Sequence, residues 1–302
     1  VEIIKIDDHI TAIDHDLLGI PGVGVTYVVR GADVALIETG TPASVPATLM
    51  GLEQLGIARE SISHILCTHI HIDHAGGLGY LVEALPRAQA YIHSMSIPHL
   101  IEPSKLAASS RRAIGEEAWP LHGNIRPTPA ERLHPAEDLR LDLGDDVILE
   151  AIATPGHSPD HLSFWDRRSG GLFTGDAAAL AMPRHNLLFP VTPPPTYDLE
   201  AQRATIAMLR KQDISRLYIT HYSVHDDVDN KLRMALERLE DLVALVQEAI
   251  AQDNADIAAL TERWIPYPSD LPGSIIVRSW GGMSVAGLMR YEQKRREREH
   301  QS

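Results

Sequence analysis

Within Thr68-His69-Ile70-His71-Ile72-Asp73-His74, three imidazoles and one carboxylate fall in six consecutive residues, directly behind the apolar run Ile65-Leu66-Cys67. Imidazole nitrogens and carboxylate oxygens are the ligands taken by Zn²⁺ and similar first-row ions. From one extended segment, all four side chains cannot reach a single ion. Alternation sends His69, His71 and Asp73 to one face of an extended chain. A turn at Asp73-His74, helped by Gly76-Gly77, redirects the last two. The pattern therefore predicts one site built from the first pair and a second built from the Asp-His pair. The competing reading is a His-rich surface loop, in a chain that carries 16 His. What separates the two is whether the rest of the chain supplies more ligands, since two protein ligands per ion are too few.

Three later segments supply them. Ala153-Thr154-Pro155-Gly156-His157-Ser158 follows the strand-like run Val147-Ile148-Leu149-Glu150-Ala151-Ile152 and sets a His on a Pro-Gly turn. Gly171-Leu172-Phe173-Thr174-Gly175-Asp176 is an apolar strand ending in a Gly, which permits close backbone approach, and then a carboxylate. Leu217-Tyr218-Ile219-Thr220-His221 is again a strand ending in a His. Each candidate ligand stands at the end of a short apolar strand, where rigid elements hand over to functional loops.

Taken in order, His69-Ile70-His71-Ile72-Asp73-His74, His157, Asp176 and His221 resemble the motifs of the metallo-β-lactamase fold superfamily of metal-dependent hydrolases, the glyoxalase II and lactonase-like members in particular. The resemblance covers roughly residues 1 to 225. It implies His69, His71 and His157 on a first metal, Asp73, His74 and His221 on a second, and Asp176 bridging both. It also implies the fold: an α/β four-layer αββα sandwich with the site along one edge of two facing sheets. One departure is visible. The family usually carries an Asp at the end of an early strand, where this chain reads Leu36-Ile37-Glu38-Thr39-Gly40. Glu38, with its longer arm, either orients a ligand as that Asp does or is an ordinary polar residue leaving a strand.

The activity implied is that of a dinuclear metal-dependent hydrolase. A metal-bridging hydroxide attacks a small-molecule ester, thioester, lactone or phosphoester, and Asp73 is the catalytic group that orients the hydroxide and carries a proton to the leaving group. Two divalent ions are expected. Zinc is favoured by the imidazole-rich set, with iron or manganese as the alternatives that two carboxylates permit. Two other functions use the same residues. One is a mononuclear iron persulfide dioxygenase-like oxidoreductase on His69, His157 and Asp176; the other is a non-catalytic metal-binding protein.

Composition narrows the substrate. The net charge of −14, from 27 basic and 41 acidic residues, repels a phosphate backbone and argues against nucleic acid. No run of about 18 uncharged apolar residues occurs, so no membrane span is expected. The one cysteine, Cys67, makes no intramolecular disulfide; a buried structural thiol in a cytoplasmic protein is expected. Val1 to Asp7 reads as a strand, not a signal peptide. The chain begins without Met, which leaves open a leader removed ahead of Val1.

Along the chain, Val23 to Val29 and Asp33 to Ile37 read as paired strands around Gly31-Ala32. Pro42 to Gly56 and Gly77 to Leu85 read as helices, and Ala88 to His93 as a strand. Residues 1–227 form the expected catalytic domain, with a helical insertion at about 95–135 that serves as a lid or pocket wall. Residues 228–302 form a mainly helical C-terminal extension expected to pack on the same domain. In it, Leu232, Leu236, Leu239, Val243, Val246 and Ile250 make one helical stripe, explained by core packing or by a homodimer seam. A final helix is expected from Val285 to Tyr291, after Gly281-Gly282. The Pro-rich stretch 181–196 is expected to line the substrate pocket, with His185 as a weak substrate-binding candidate. His161 and Tyr222 flank ligand candidates and are weak candidates of the same kind.

Overall fold

The computed structural model describes residues 1–17, 20–116, 118–182, 187–221, 223–265 and 274–299. His185 and Tyr222 lie outside the described residues. The strands are β1 (Ile3–Lys5), β2 (Ile10–Asp14), β3 (Val25–Arg30), β4 (Val34–Ile37), β5 (Ile62–Leu66), β6 (Gln89–Ile92), β7 (Leu133–Pro135), β8 (Arg140–Asp142), β9 (Ile148–Ala153), β10 (Leu162–Asp166), β11 (Gly171–Gly175), β12 (Leu180–Met182), β13 (Leu187–Phe189), β14 (Arg216–Ile219) and β15 (Ser223–His225). The helices are α1 (Val45–Gln54), α2 (Ile72–Ala75), α3 (Leu78–Ala84), α4 (Ile97–Ile101), α5 (Ser104–Ile114), α6 (Trp119–His122), α7 (Leu199–Leu209), α8 (Val228–Ala251), α9 (Ile257–Trp264) and α10 (Ser274–Glu299). They fall into two compact units. The first is Val1–Thr154, Asp160–Gly175 and Asp213–Asp226; the second is Pro155–Pro159, Asp176–Gln212 and Asp227–Ser302.

The first unit holds two sheets, ordered β1-β2-β3-β4-β5-β6-β7 and β15-β14-β11-β10-β9-β8. Alternation along the strands builds two cores from one sheet. In β3 and β4, Val25, Tyr27, Val29, Ala35 and Ile37 face the core shared with Leu149, Leu162, Phe164, Phe173 and Tyr218 of the second sheet. Their neighbours Val28 and Leu36 face the other way, against Val45 and Leu52 of α1 and Leu78, Leu81 and Val82 of α3. The period of two fits a sheet buried on both faces, here by a sheet on one side and helices on the other. Tyr27 clamps the two sheets at one end, its hydroxyl donating to the carbonyl of Ile219 at 2.7 Å.

Strand direction decides where functional groups emerge. β4, β5, β6 and β7 run parallel to one another in series, and β11 runs parallel to β14. The carboxyl ends of β4, β5 and β14 therefore lead directly into Glu38, the His69 segment and His221.

The expected helical insertion is present as α4, α5 and α6. Leu100 of α4 anchors it in the helix-side core, while no residue of α5 is buried. In the second unit, Leu232, Leu239, Val243 and Val246 of the α8 stripe are buried and Leu236 and Ile250 pack against them, so core packing accounts for it. The last helix differs from expectation. It begins at Ser274 and runs through Gly281-Gly282, ahead of the expected start at Val285. Glycine inside a helix costs about 1 kcal/mol relative to alanine, and close packing offsets that here: a Cβ at Gly287 would lie 1.8 Å from the Thr192 carbonyl oxygen.

Candidate metal centre

The His69 segment does not continue as a strand. β5 ends at Leu66, the backbone bends through 68–71, and the single helical turn α2 carries Asp73 and His74. The extended chain expected through His69 and His71 thus gives way to a bend, and the turn expected at Asp73-His74 is present as α2. The physical reason lies in the hydrogen bonds: His74 N and Ala75 N both donate to the His71 carbonyl, which closes a helical turn that an extended chain cannot form.

In the first unit this geometry brings five of the expected ligands near one another. Asp73, His74 and His221 offer ligand atoms that all lie within 4.8 Å of one another. The ring centroids of His69 and His74 are 4.1 Å apart, and those of His69 and His71 4.5 Å. His69 Nε2 faces His71 Nδ1 at 2.8 Å, the separation of an N–H···N hydrogen bond. His74 and His221 are buried, whereas Asp73 keeps 21% of its side chain accessible. In the second unit, His157 Nε2 stands 3.3 Å from Asp176 Oδ2, both buried.

Fixed acceptors determine which ring nitrogen each histidine presents. His221 Nδ1 donates to the Val23 carbonyl at 2.7 Å. His157 Nδ1 donates to the Val191 carbonyl at 2.8 Å. His74 Nδ1 donates to Glu38 Oε1 at 3.0 Å. Thr68 Oγ1 donates its only proton to Glu38 Oε1 at 2.7 Å, so at 3.0 Å it accepts from His69 Nδ1. A carbonyl or carboxylate oxygen can only accept here, so the Nδ1–H tautomer is enforced and Nε2 is left as the lone-pair donor. Metal-ligating histidines are oriented in this way by their other nitrogen. In the first unit, the donors of Asp73, His74 and His221 fit a first-row divalent ion.

Glu38 joins these groups. Fully buried, its Oε1 accepts from Thr68, His74 and, at 3.2 Å, Thr220 Oγ1. Its backbone has φ +69°, a left-handed conformation that costs a residue with a Cβ about 1–2 kcal/mol. The conformation is held by its N–H on the Leu66 carbonyl at 2.8 Å and by Thr26 Oγ1 donating to its own carbonyl at 3.1 Å. Backbone strain of this kind persists where the surroundings over-determine it, and it clusters at functional sites. Close approach recurs at Gly175, where φ is +51° and a Cβ would sit 2.6 Å from Thr68 Oγ1.

Sequence reading did not single out Thr68, Thr220 or Asp160, and it made His161 only a weak substrate-contact candidate. Thr68-His69 and Thr220-His221 are the same dipeptide at two strand ends, a signal that was available. The His161 ring stacks on His69 at 4.8 Å with Nδ1 at 2.8 Å from Thr154 Oγ1. Asp160 contacts Ile70 from 90 residues away, which no local pattern announces. Cys67 is buried in the helix-side core, and burial, then Glu38, pushes its thiol well above the ordinary range; it is a packing residue.

A match to the family model of the metallo-β-lactamase superfamily spans residues 19–221, more than half of the chain. The chain belongs to the metallo-β-lactamase superfamily. YobT of Bacillus subtilis (strain 168) is 33% identical to this member over 150 residues, covering 49% of this chain and 58% of YobT. An atrochrysone carboxyl ACP thioesterase of Cryptosporiopsis sp. (strain 8999) is 27% identical over 152 residues, half of this chain and 37% of that protein. The chain thus spans less than two thirds of the length of these curated relatives. Among solved structures, an archaeal metallo-β-lactamase superfamily protein from Sulfolobus tokodaii superimposes with a TM-score of 0.71 at 20% identity, covering 93% of this chain and 98% of that one. The mixed α/β architecture with two sheets is the fold of this superfamily. Among the described residues no helix is long and apolar enough to cross a membrane.

Proposed function

We propose that this superfamily member is a dinuclear metal-dependent hydrolase acting on a small-molecule thioester or ester. The observation that carries the reading is the enforced Nδ1–H tautomer of His69, His74, His157 and His221, which makes Nε2 the ligand atom each histidine presents. With His71 and the carboxylates of Asp73 and Asp176, they make the donor set that the family motif assigns to two ions, zinc being the best match to its imidazole content. When bound, such ions supply Lewis acidity, lowering the pKa of water toward neutrality and polarising a carbonyl oxygen.

The chain's own residues do the rest. Glu38 and Thr68 hold His74 and His69 in one tautomer and orientation. Asp73, the accessible carboxylate of the cluster, orients the attacking water and carries a proton to the leaving group. The acidic surface disfavours polyanionic substrates, and the thioesterase relative supports thioesters within the ester class.

The test is turnover of acyl thioester, lactone and phosphodiester panels by zinc-restored protein. Thioester or lactone hydrolysis is expected, abolished by chelator and reduced to near background in His71→Ala and Asp176→Ala variants that keep a native far-UV spectrum. Full turnover in either variant refutes the assignment. Oxygen uptake with a persulfide donor, in protein holding one iron, replaces it with an oxidoreductase.

A further inference from the structure

Between β5 and α2 the chain leaves the sheet, and its backbone donors must find partners other than a strand. Cys67 N still donates to the Tyr91 carbonyl, and the Thr68 carbonyl accepts from Leu162 N at 2.8 Å. The next two partners are buried carboxylates. Thr68 N donates to Glu38 Oε2 at 3.3 Å, and Ile70 N donates to Asp160 Oδ2 at 2.8 Å. His69 is thus bracketed, one residue to either side, by main-chain bonds to acids. The same Asp160 oxygen accepts from Ser96 Oγ at 2.7 Å, at the start of the insertion.

Burying a carboxylate is costly unless donors are aimed at it, and Asp160 is 3% exposed. Its bonds from Ile70 and Ser96 are charge-assisted, roughly twice the strength of neutral ones. The Ile70 bond fixes the peptide between His69 and His71, and so bears on the separation of those two imidazoles. We infer that Asp160 is a positioning residue for metal binding, acting through the Ile70 N–H, and that its bond to Ser96 ties the insertion to the metal segment. The inference rests on the proposed metal centre, whose ligands Asp160 would preorganise.

Metal affinity, measured by competition with a chromophoric chelator, tests it. Loss of such an outer partner typically weakens metal binding by about 10–100-fold, and that is the loss expected for Asp160→Ala. Asp160→Asn keeps an acceptor but loses the charge, so it is expected to fall between Asp160→Ala and wild type. Ser96→Ala leaves the Ile70 bond in place and should bind metal as wild type does. Should Asp160→Ala fail to fold, Asp160→Asn reads the same quantity. Wild-type affinity in the foldable Asp160 variants, with only a lower melting temperature of the metal-free protein, overturns the inference and leaves a structural role. A wild-type chain that takes up no first-row metal overturns the metal centre itself, a distinguishable failure.

Discussion

Glu38 is the residue on which most of the site depends. It meets the ordering groups of His69 and His74, a second strand end through Thr220, and a left-handed backbone that only a dense hydrogen-bond cage tolerates. Glu38→Gln keeps the shape but turns one acceptor oxygen into an amide donor, so with its oxygen kept at the Oε1 position the Thr68 N–H that now donates to Oε2 loses its partner. Metal affinity is expected to fall by about 10–100-fold with little change in fold; chelator competition beside circular dichroism would show it, and unchanged affinity would leave Glu38 a structural residue only. The sequence alone left Glu38 between two roles, because a strand-end acid looks the same whether or not a histidine turns back toward it. The ligand candidates were legible, since each follows a short apolar strand. Their orienting partners were not, apart from the repeated Thr-His pair, because they come from carbonyls and acids distant in the chain.

Two other histidines, outside the donor set, give the first unit a pH signature. Burial drives His15 down to about 3, with Nε2 held by Thr26 at 2.9 Å. The folded state therefore binds fewer protons than the unfolded one below an ordinary histidine pKa of about 6.5, and stability is lost as pH falls from there toward about 3, by up to about 1.4 kcal/mol per pH unit. His9 has the opposite sign. Burial pulls it down, but hydrogen bonds to Asp8 and Asp166 hold it above its ordinary value. Its contribution is present in full below about pH 6.5 and disappears as pH rises through the raised value. Urea midpoints at pH 7 and pH 5 should fall with acid less steeply in His15→Gln than in wild type; equal slopes would contradict the assignment.

At the scale of elements, strands were more legible than turns. A period of two over short β-branched runs reports burial on both faces directly, and β3, β4, β5 and β6 lie where that pattern puts them. The turn α2 was not legible as a helix: four residues are too few to show a period. The start of α10 was missed for a different reason: the Gly281-Gly282 pair argues against helix, yet the helix runs through it. Gly287, inside the expected helix, is required by the Thr192 carbonyl, from a segment far away in the chain. Gly287→Ala should consequently lower stability by at least about 1–3 kcal/mol through overpacking, although alanine is the better helix former. A denaturant midpoint at or above that of wild type would show that α10 packs differently.

For the molecule as a whole, membership of the superfamily and its two-sheet α/β fold follow from the family match and the structural likeness, and catalysis is the proposed step beyond them. Substrate choice is least legible, because the ligand motif points to a reaction type and not to a substrate. Metal bound to the folded chain alone must stabilise it by mass action, so the melting temperature should rise with free zinc and fall with chelator. The most direct test of the proposed centre is the metal content of protein purified without added metal, by elemental analysis. About two first-row ions per chain, zinc foremost, is the result the seven-ligand set predicts. A chain that carries none, and gains none on incubation with zinc, would contradict it.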